Sequence, residues 1–121
     1  MKSLVGTDII EVDRIKEALK DERFTLRVFT DKEIDYCEKK RRSKYQHYAA
    51  RFAAKEAVFK AISTVLNNKY EIGWKNIEIL NDKNGRPFVN FIGIEINNIS
   101  MDISLSHIEK YATATAIAVV D

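Results

Sequence analysis

The sequence contains few residues that cross-link or interrupt a chain. Its 121 residues include one cysteine, one proline and four glycines. The single cysteine, Cys37, excludes an internal disulfide and suits a reducing compartment. No apolar run approaches the roughly 20 residues of a membrane-spanning helix, and the first residues lack the apolar core of a signal peptide. We therefore expect a cytoplasmic protein that does not bind membranes.

An excess of charge of one sign is also absent. The formal net charge is only +2, so any attraction for an acidic partner must come from local clusters of Lys and Arg. His47, His107 and Cys37 have no zinc-ligand spacing, which disfavours a zinc site. Acidic neighbours should raise the pKa of Cys37, which favours a structural role over a nucleophilic one. Length and composition predict a single domain over residues 1–121.

The apolar periodicity predicts a strand followed by helices. The strand covers residues 2–10, and a first helix covers residues 11–20. A second helix should begin at Thr30, an N-cap residue with Glu33 at the capping-box position. A third helix, over residues 45–66, is apolar nearly all round, which is typical of a central buried helix.

The second half of the sequence predicts strands. Residues 77–79 and 88–91 flank a strong turn signal at residues 81–87, and residues 101–106 alternate apolar and polar side chains. The last strand, residues 111–120, has an alanine at every even position from 112 to 118, so the central helix or another subunit must pack very close to that face. Helices followed by strands predict an α+β fold, with an antiparallel sheet packed on a long central helix.

Two carboxylates lie at apolar positions of this pattern. Asp8 shares a strand face with Leu4, Gly6 and Ile10, and Glu56 falls in an apolar stripe of the central helix. Carboxylates are almost never fully buried unless they are paired, because an unpaired one loses its hydration. Both residues therefore require a nearby cation.

Several cations could pair with these two carboxylates. Lys60 follows Glu56 by four residues, which suits a helical ion pair, and Lys55 or Arg51 could pair with Asp8. The third candidate is magnesium, which takes one or two carboxylates and fills its shell with water and phosphate oxygens. The residue pattern alone leaves ion pairs and a metal site equally open.

Three segments then resemble a known family. They are Gly-Thr-Asp-Ile at residues 6–9, Arg-Phe-Ala-Ala-Lys-Glu-Ala-Val-Phe-Lys-Ala at residues 51–61, and Ser-Leu-Ser-His at residues 104–107. At these separations they resemble the bacterial holo-acyl-carrier-protein synthases, the small class of 4'-phosphopantetheinyl transferases. The resemblance covers essentially the whole chain, including the turn at residues 84–87. It departs at residues 62–73, where relatives usually have a glycine-rich stretch.

The resemblance implies an enzyme. Such an enzyme transfers 4'-phosphopantetheine from coenzyme A to a serine of apo acyl carrier protein, requires Mg²⁺ and releases adenosine 3',5'-bisphosphate. It implies Asp8 and Glu56 as the metal ligands. It also implies a homotrimer with active sites at subunit boundaries, and neither a membrane nor a nucleic acid as partner.

Further candidate residues follow from the resemblance together with the pattern of charged residues. Lys60 would pair with the transferred phosphate and Asp35 would help to deprotonate the serine through water, although each is equally compatible with a structural or solvated role. His107 would contact the cofactor or the active site. Further candidate coenzyme A contacts are Lys44, His47, Arg51, Arg86 and Pro87. Candidate contacts to the acidic carrier protein are Arg14, Lys20, Arg23 and Arg27.

Two functions from other classes remain open at this point. The basic segment at residues 39–48, with its interleaved tyrosines, could bind nucleic acid. That hypothesis leaves Asp8 and Glu56 unexplained, and the net charge is low for it. An inactive subunit that keeps the fold is the second alternative.

Overall fold

A computed structural model describes residues 1–66 and 72–121. In these ranges the chain has four α-helices and five strands. The helices are α1 (Val12–Ala18), α2 (Glu22–Val28), α3 (Asp31–Glu38) and α4 (Lys44–Ile62). The strands are β1 (Lys2–Glu11), β2 (Ile77–Asn81), β3 (Pro87–Phe91), β4 (Ile99–His107) and β5 (Tyr111–Val120). Part of the segment that departs from the family pattern, residues 67–71, lies outside the described residues.

The strands form two antiparallel sheets, and this confirms the predicted α+β fold. One sheet has the order β1-β5-β4, and the other is the β2-β3 hairpin. The alanines at the even positions of β5 are at most 1% exposed. Most of them share a core cluster with Ala53, Ala54 and Ala57 of α4. The element that packs on this alanine face is therefore the central helix.

Gly6 is the point of closest approach between β1 and α4. A Cβ atom at Gly6 would lie 1.9 Å from the carbonyl oxygen of Ala57 and 2.8 Å from the amide nitrogen of Ala61. Only glycine fits so close to a helix backbone. The predicted inward face of β1 is confirmed, because Leu4, Gly6, Asp8 and Ile10 are each less exposed than their neighbours in the strand.

The first helix is shorter than predicted. It ends at Ala18, and a separate helix, α2, begins after Asp21. The Asp21 carboxylate accepts a hydrogen bond from the Arg23 amide, an N-cap that starts a new helix. The second predicted helix is confirmed as α3, which begins with the expected capping box of Thr30 and Glu33.

The central helix is buried as predicted, but its α-helical part ends at Ile62 rather than at residue 66. Ser63–Val65 continue as one 3₁₀ turn, a common way for an α-helix to end. The predicted turn between β2 and β3 is also confirmed, with Gly85 at φ +83°. Within residues 1–66 and 72–121, no helix is both long and apolar enough to cross a membrane.

Candidate functional site

Asp8 and Glu56 meet at one pocket. Asp8 lies on β1, opposite Ala114 of β5, and its side chain is 18% exposed. Glu56 is half-buried on α4. The pocket has a volume of about 310 Å³ and is otherwise lined by Ile9, Ile10, Arg14, Ile15, Ala18, Phe24 and Phe52.

The ionisation of Glu56 depends on its burial and on the charges around it. Burial raises the pKa of Glu56 and the negative charge of Asp8 raises it further, while Lys60 opposes both effects. Two acids that share a low-dielectric site disfavour their joint ionisation. A divalent cation would relieve this repulsion, so the electrostatics of the pocket favour a bound cation.

Magnesium fits this pair of ligands better than zinc does. In the part of the chain that the structure describes, no three His, Cys, Asp or Glu side chains are grouped so that they could hold a metal ion. A closed zinc site needs about four such ligands. Magnesium commonly binds one or two carboxylates and completes its shell with water and substrate phosphates. Asp8 and Glu56 would be the residues that hold it.

Lys60 contacts Asp8 rather than Glu56. Its ammonium lies 3.2 Å from the Asp8 carboxylate and 3.1 Å from the Thr7 carbonyl oxygen. The side chain remains 52% exposed, so the charge is open to a ligand. The alternative pairing of Asp8 with Lys55 or Arg51 is wrong, because both side chains are buried with other partners.

The two histidines of the chain lie together. The rings of His47 on α4 and His107 at the end of β4 have centroids 5.0 Å apart, and Tyr36 packs against His47 at 5.7 Å. Burial lowers the pKa of His47 to about 4, with His107, Lys40 and Arg51 adding to the effect. At neutral pH His47 is therefore uncharged and can accept a hydrogen bond.

Arg51 lies beside this aromatic cluster but is only 2% exposed. Its guanidinium covers the Tyr36 ring at 3.9 Å and donates to the side-chain carbonyl of Asn81. Asn81 in turn donates to the Gly85 carbonyl at 2.9 Å. Arg51 thus links α4 to the β2-β3 turn, and a contact with a cofactor phosphate stays a prediction.

Arg86 and Pro87 complete that turn. Arg86 is exposed, and its amide donates to the Asp82 carboxylate at 3.0 Å. Pro87 is the first residue of β3, where the missing N–H of proline is tolerated. The guanidinium of Arg86 is therefore carried by a well-fixed turn, and its proposed contact with a nucleotide stays untested.

Lys44 has different neighbours from those of His47. It pairs with Glu38 at 3.1 Å and lines a second pocket that also includes Lys16, Lys20 and Tyr45. A predicted cofactor contact and a predicted carrier contact, Lys44 and Lys20, therefore face the same depression. Neither role is tested by this arrangement.

Asp35 and the predicted docking residues lie at the surface. Asp35 is exposed on α3. Arg14 lines the Asp8 pocket, whereas Lys20 pairs with Glu17 and Arg23 with Asp21. Because the chain breaks between α1 and α2, these residues do not lie on one continuous helix. The four predicted docking residues are nevertheless all exposed.

Sequence reasoning missed a buried ionic cluster next to Glu56. Lys55 is 1% exposed and pairs with the fully buried Glu33 at 2.8 Å. Phe52 and Trp74 stack nearby, with ring centroids 4.8 Å apart. A signal was present in the sequence, because a helix that is apolar all round must bury some of its charged residues.

Cys37 is fully buried, as a structural residue should be. Burial raises the pKa of its thiol to about 12, and Glu33 and Glu38 contribute to the rise. A thiol with such a pKa is not a nucleophile at neutral pH. The structure therefore supports the expected structural role.

Comparison with known proteins agrees with this geometry. The family model described as "4'-phosphopantetheinyl transferase superfamily" matches residues 4–116. A holo-[acyl-carrier-protein] synthase of Ruminiclostridium cellulolyticum is 46% identical over 125 residues, which cover 97% of this chain and 92% of the relative. That of Protochlamydia amoebophila is 43% identical, over 93% of this chain and 94% of its own.

Solved structures agree in fold. The Chronobacterium ammoniagenes ACPS–CoA complex superposes with a TM-score of 0.85 at 28% identity and covers 100% of this chain and 99% of its own. A holo-(acyl-carrier-protein) synthase from Bacillus anthracis in complex with CoA (3',5'-ADP) gives a TM-score of 0.78 at 32% identity, over 95% of this chain and 94% of its own. The chain therefore belongs to the 4'-phosphopantetheinyl transferase superfamily, as an enzyme of its holo-[acyl-carrier-protein] synthase group.

Proposed function

We propose that the chain transfers 4'-phosphopantetheine from coenzyme A to a serine of apo acyl carrier protein in a Mg²⁺-dependent reaction. One observation carries this proposal. Asp8 and Glu56 line the same open pocket, with the ammonium of Lys60 beside Asp8. Two carboxylates and an accessible lysine are suited to hold a magnesium–pyrophosphate group.

The chemistry is displacement at phosphorus. The serine oxygen forms a bond to the β-phosphorus of coenzyme A, the pyrophosphate P–O bond breaks, and adenosine 3',5'-bisphosphate leaves. The serine proton passes to a base. When bound, magnesium would neutralise charge on the pyrophosphate oxygens. Asp8 and Glu56 would hold the ion, and Lys60 would orient the transferred phosphate.

Asp35 is our candidate for receiving the serine proton through water. Its exposed position on α3 leaves it free to do so. His47 and His107 offer two adjacent imidazoles for the nucleotide end of coenzyme A. The remaining proposed coenzyme A contacts are Lys44, Arg51, Arg86 and Pro87. Among these, Arg51 is buried and acts on the β2-β3 turn through Asn81.

The carrier protein is proposed to dock at α1 and α2. Acyl carrier proteins are acidic, so exposed arginines and lysines would steer their approach. Arg14 lies at the rim of the Asp8 pocket itself. The other proposed docking residues are Lys20, Arg23 and Arg27. An exposed apolar side chain, Leu26, lies between the last two arginines at 50% exposure and adds apolar contact area.

A homotrimer is part of the proposal. The outer face of the three-stranded sheet has three exposed aliphatic side chains: Val5 at 64%, Ile9 at 65% and Ile117 at 43%. Val5 pairs directly with Ile117 across the β1-β5 ladder. Such a patch on a sheet face favours burial against another copy of the chain. The cytoplasmic location predicted from the sequence stays a prediction.

Nucleic-acid binding is less compatible with the side chains. Tyr48 is 2% exposed and donates to Glu38 at 2.7 Å. Lys16 and Lys44 lie over the Tyr45 ring at 5.2 and 5.3 Å. Tyr48 is therefore not available for stacking with bases, and lysine side chains already occupy the surroundings of the Tyr45 ring.

The test is a transfer assay read by intact mass. The protein is incubated with coenzyme A, Mg²⁺ and apo acyl carrier protein, and the carrier should gain one phosphopantetheine. Asp8→Asn and Glu56→Gln should each abolish the gain, because neither amide can neutralise magnesium. The exposed variant Lys2→Ala is the control. A carrier of unchanged mass with the active control would refute the proposed function, and a filter-binding assay with RNA would then test the alternative.

A further inference from the structure

The buried ammonium of Lys55 makes a complete set of bonds. It lies 2.8 Å from the Glu33 carboxylate and donates to two backbone carbonyl oxygens, of Trp74 at 3.0 Å and of Ile77 at 2.7 Å. An ammonium has three protons to donate, so each has an acceptor. Burial lowers the pKa of Lys55, and Glu33 opposes that effect.

Glu33 and Glu78 extend these bonds to other elements. Glu33 accepts from the amides of Thr30 and Ile79, each at 2.8 Å. Glu78 accepts from the Thr30 hydroxyl at 2.6 Å and from the Asn90 amide at 3.0 Å. The cluster of Lys55, Glu33 and Glu78 thus joins α3, α4 and the β2-β3 hairpin.

One of these bonds fixes a wall beside Glu56. Trp74 is held through its carbonyl by Lys55 and through its ring by Phe52. Trp74 and Ile77 then line a pocket of about 260 Å³ together with Glu56, Phe59 and Lys55 itself. Phe52 also lines the pocket that contains Asp8. Glu56 therefore lines two pockets, and Trp74 contributes to the wall of one directly and to the wall of the other through Phe52.

We propose that Lys55 is a positioning residue for the transfer reaction, which holds Trp74 and the start of β2 against α4 so that the wall beside Glu56 has one shape for coenzyme A. This inference rests on the proposed function. Lys55 does not touch the reacting atoms, so its removal should weaken substrate binding more than the chemical step. A preformed site avoids the free-energy cost of ordering its wall when the substrate binds.

The experiment compares two variants of the buried cluster. Lys55→Met combined with Glu33→Gln removes both charges of the pair, so neither residue is left as a buried charge without its partner. The matched control is Glu78→Gln, which alters the same buried cluster but none of the bonds to Trp74 or Ile77. Each protein is assayed for the KM of coenzyme A, for kcat and for the emission of Trp74, which is the only tryptophan in the sequence.

We expect the double variant to raise the KM for coenzyme A by about tenfold, which corresponds to roughly 1.4 kcal/mol, with kcat changed less than threefold. Its tryptophan emission should shift to the red and be quenched more readily by acrylamide. The control should resemble the wild type in all three readouts. If the double variant does not fold, Lys55→Arg, which keeps the charge, should show the same KM and emission changes in smaller degree.

Equal KM values and equal emission in the double variant and the control would overturn the inference and leave the proposed function intact. A loss of activity that follows only the fall in thermal stability would overturn it as well. Failure of the proposed function is a distinct result, because then the wild type itself would transfer nothing to the carrier. In that case the positioning role for transfer falls with it.

Discussion

Gly6→Ala should separate the strand that carries Asp8 from the helix that carries Glu56. The added methyl group would lie 1.9 Å from the carbonyl oxygen of Ala57. Its three nearest neighbours are all backbone atoms of α4, so no side chain can rotate away. The helix itself must move.

The size of the effect follows from that distance. An ordinary contact requires about 3.4 Å, so α4 must retreat by roughly 1.5 Å. Overpacking usually costs about 1–3 kcal/mol, and we expect the upper end here because the obstacle is backbone. Alanine recovers about 0.4–1 kcal/mol through the unfolded chain. The net loss is then about 2–3 kcal/mol, or a fall in Tm of roughly 10 °C.

The assay has a stability arm and a function arm. Urea denaturation measures the free energy of unfolding, and the intact-mass assay measures Mg²⁺-dependent transfer. Activity should fall further than stability predicts, because Gly6 lies two residues from Asp8 while Ala57 adjoins Glu56. Gly73→Ala is the matched control for the stability measurement alone, because Gly73 lines the pocket beside Glu56 that we propose for coenzyme A. There the new methyl would meet only the Asn76 side chain, at 3.5 Å.

A Gly6→Ala protein that unfolds within about 0.5 kcal/mol of the wild type and keeps full transfer would refute this reasoning. It would mean that α4 can slide on the sheet without changing the pair of carboxylates. A large loss of stability in the Gly73→Ala control would also refute the reasoning, because that site has room for the methyl group.

Other predictions concern single charges. Glu56→Gln should raise the stability of the metal-free protein at pH 7, because the raised pKa of Glu56 means that the fold disfavours its ionised form. The gain in stability should vanish below pH 4.5, where the carboxyl group is protonated in both the folded and the unfolded protein. A gain that persists at pH 3 would contradict this. His47 should titrate by NMR near pH 4. As the pH is lowered, this histidine takes up a proton at a higher pH in the unfolded protein than in the folded one, so wild-type stability should fall between pH 6.5 and pH 4. A His47→Phe protein should lack that fall in stability. Lys60→Ala should lower kcat by at least tenfold with little loss of stability, because its ion pair with Asp8 is half-exposed; full turnover would exclude it from phosphate contact. The KM for the carrier should rise with salt in the wild type and less so in an Arg14→Ala protein, and equal salt dependence would argue against docking through that residue.

Local patterns predicted much of the fold correctly. The alternation of β1 identified its inward face, the capping box at Thr30 gave the start of α3, and the alanines of β5 indicated a close-packed neighbour. Each of these signals depends on residues that are near in sequence. They were readable because strand alternation and helix capping are local properties.

Helix α2 was not predicted, although the first predicted helix ended at residue 20, close to Ala18, where α1 ends. The sequence signal for α2 is local but weak, because it consists of one N-cap residue, Asp21, before a helix of seven residues. The partners of Lys55 and Arg51 were missed for a different reason. Both side chains bind residues at least 19 positions away in sequence, with Lys55 donating to Trp74 and Arg51 to Asn81. Periodicity does not contain such long-range pairings.

The pair of carboxylates shows which features a local pattern predicts and which depend on long-range contacts. Sequence alone marked Asp8 and Glu56 as anomalous but left the cation open. The structure adds that they line a common pocket and that Lys60 forms an ion pair with Asp8. The pairing of Lys60 with Asp8 depends on where β1 crosses α4. Gly6 sets this crossing point through its close contact with Ala57 and Ala61, which are far from it in the chain.

The three bonds of the Glu33 carboxylate bear on how the chain opens locally. One side chain serves as the cap of α3, the counterion of a lysine on α4 and the acceptor for the Ile79 amide of β2. Fraying of α3 therefore exposes a buried ammonium and releases a strand amide in the same event. We expect the amide hydrogens of α3 and β2 to exchange with solvent as one cooperative unit, although some forty residues of sequence separate them.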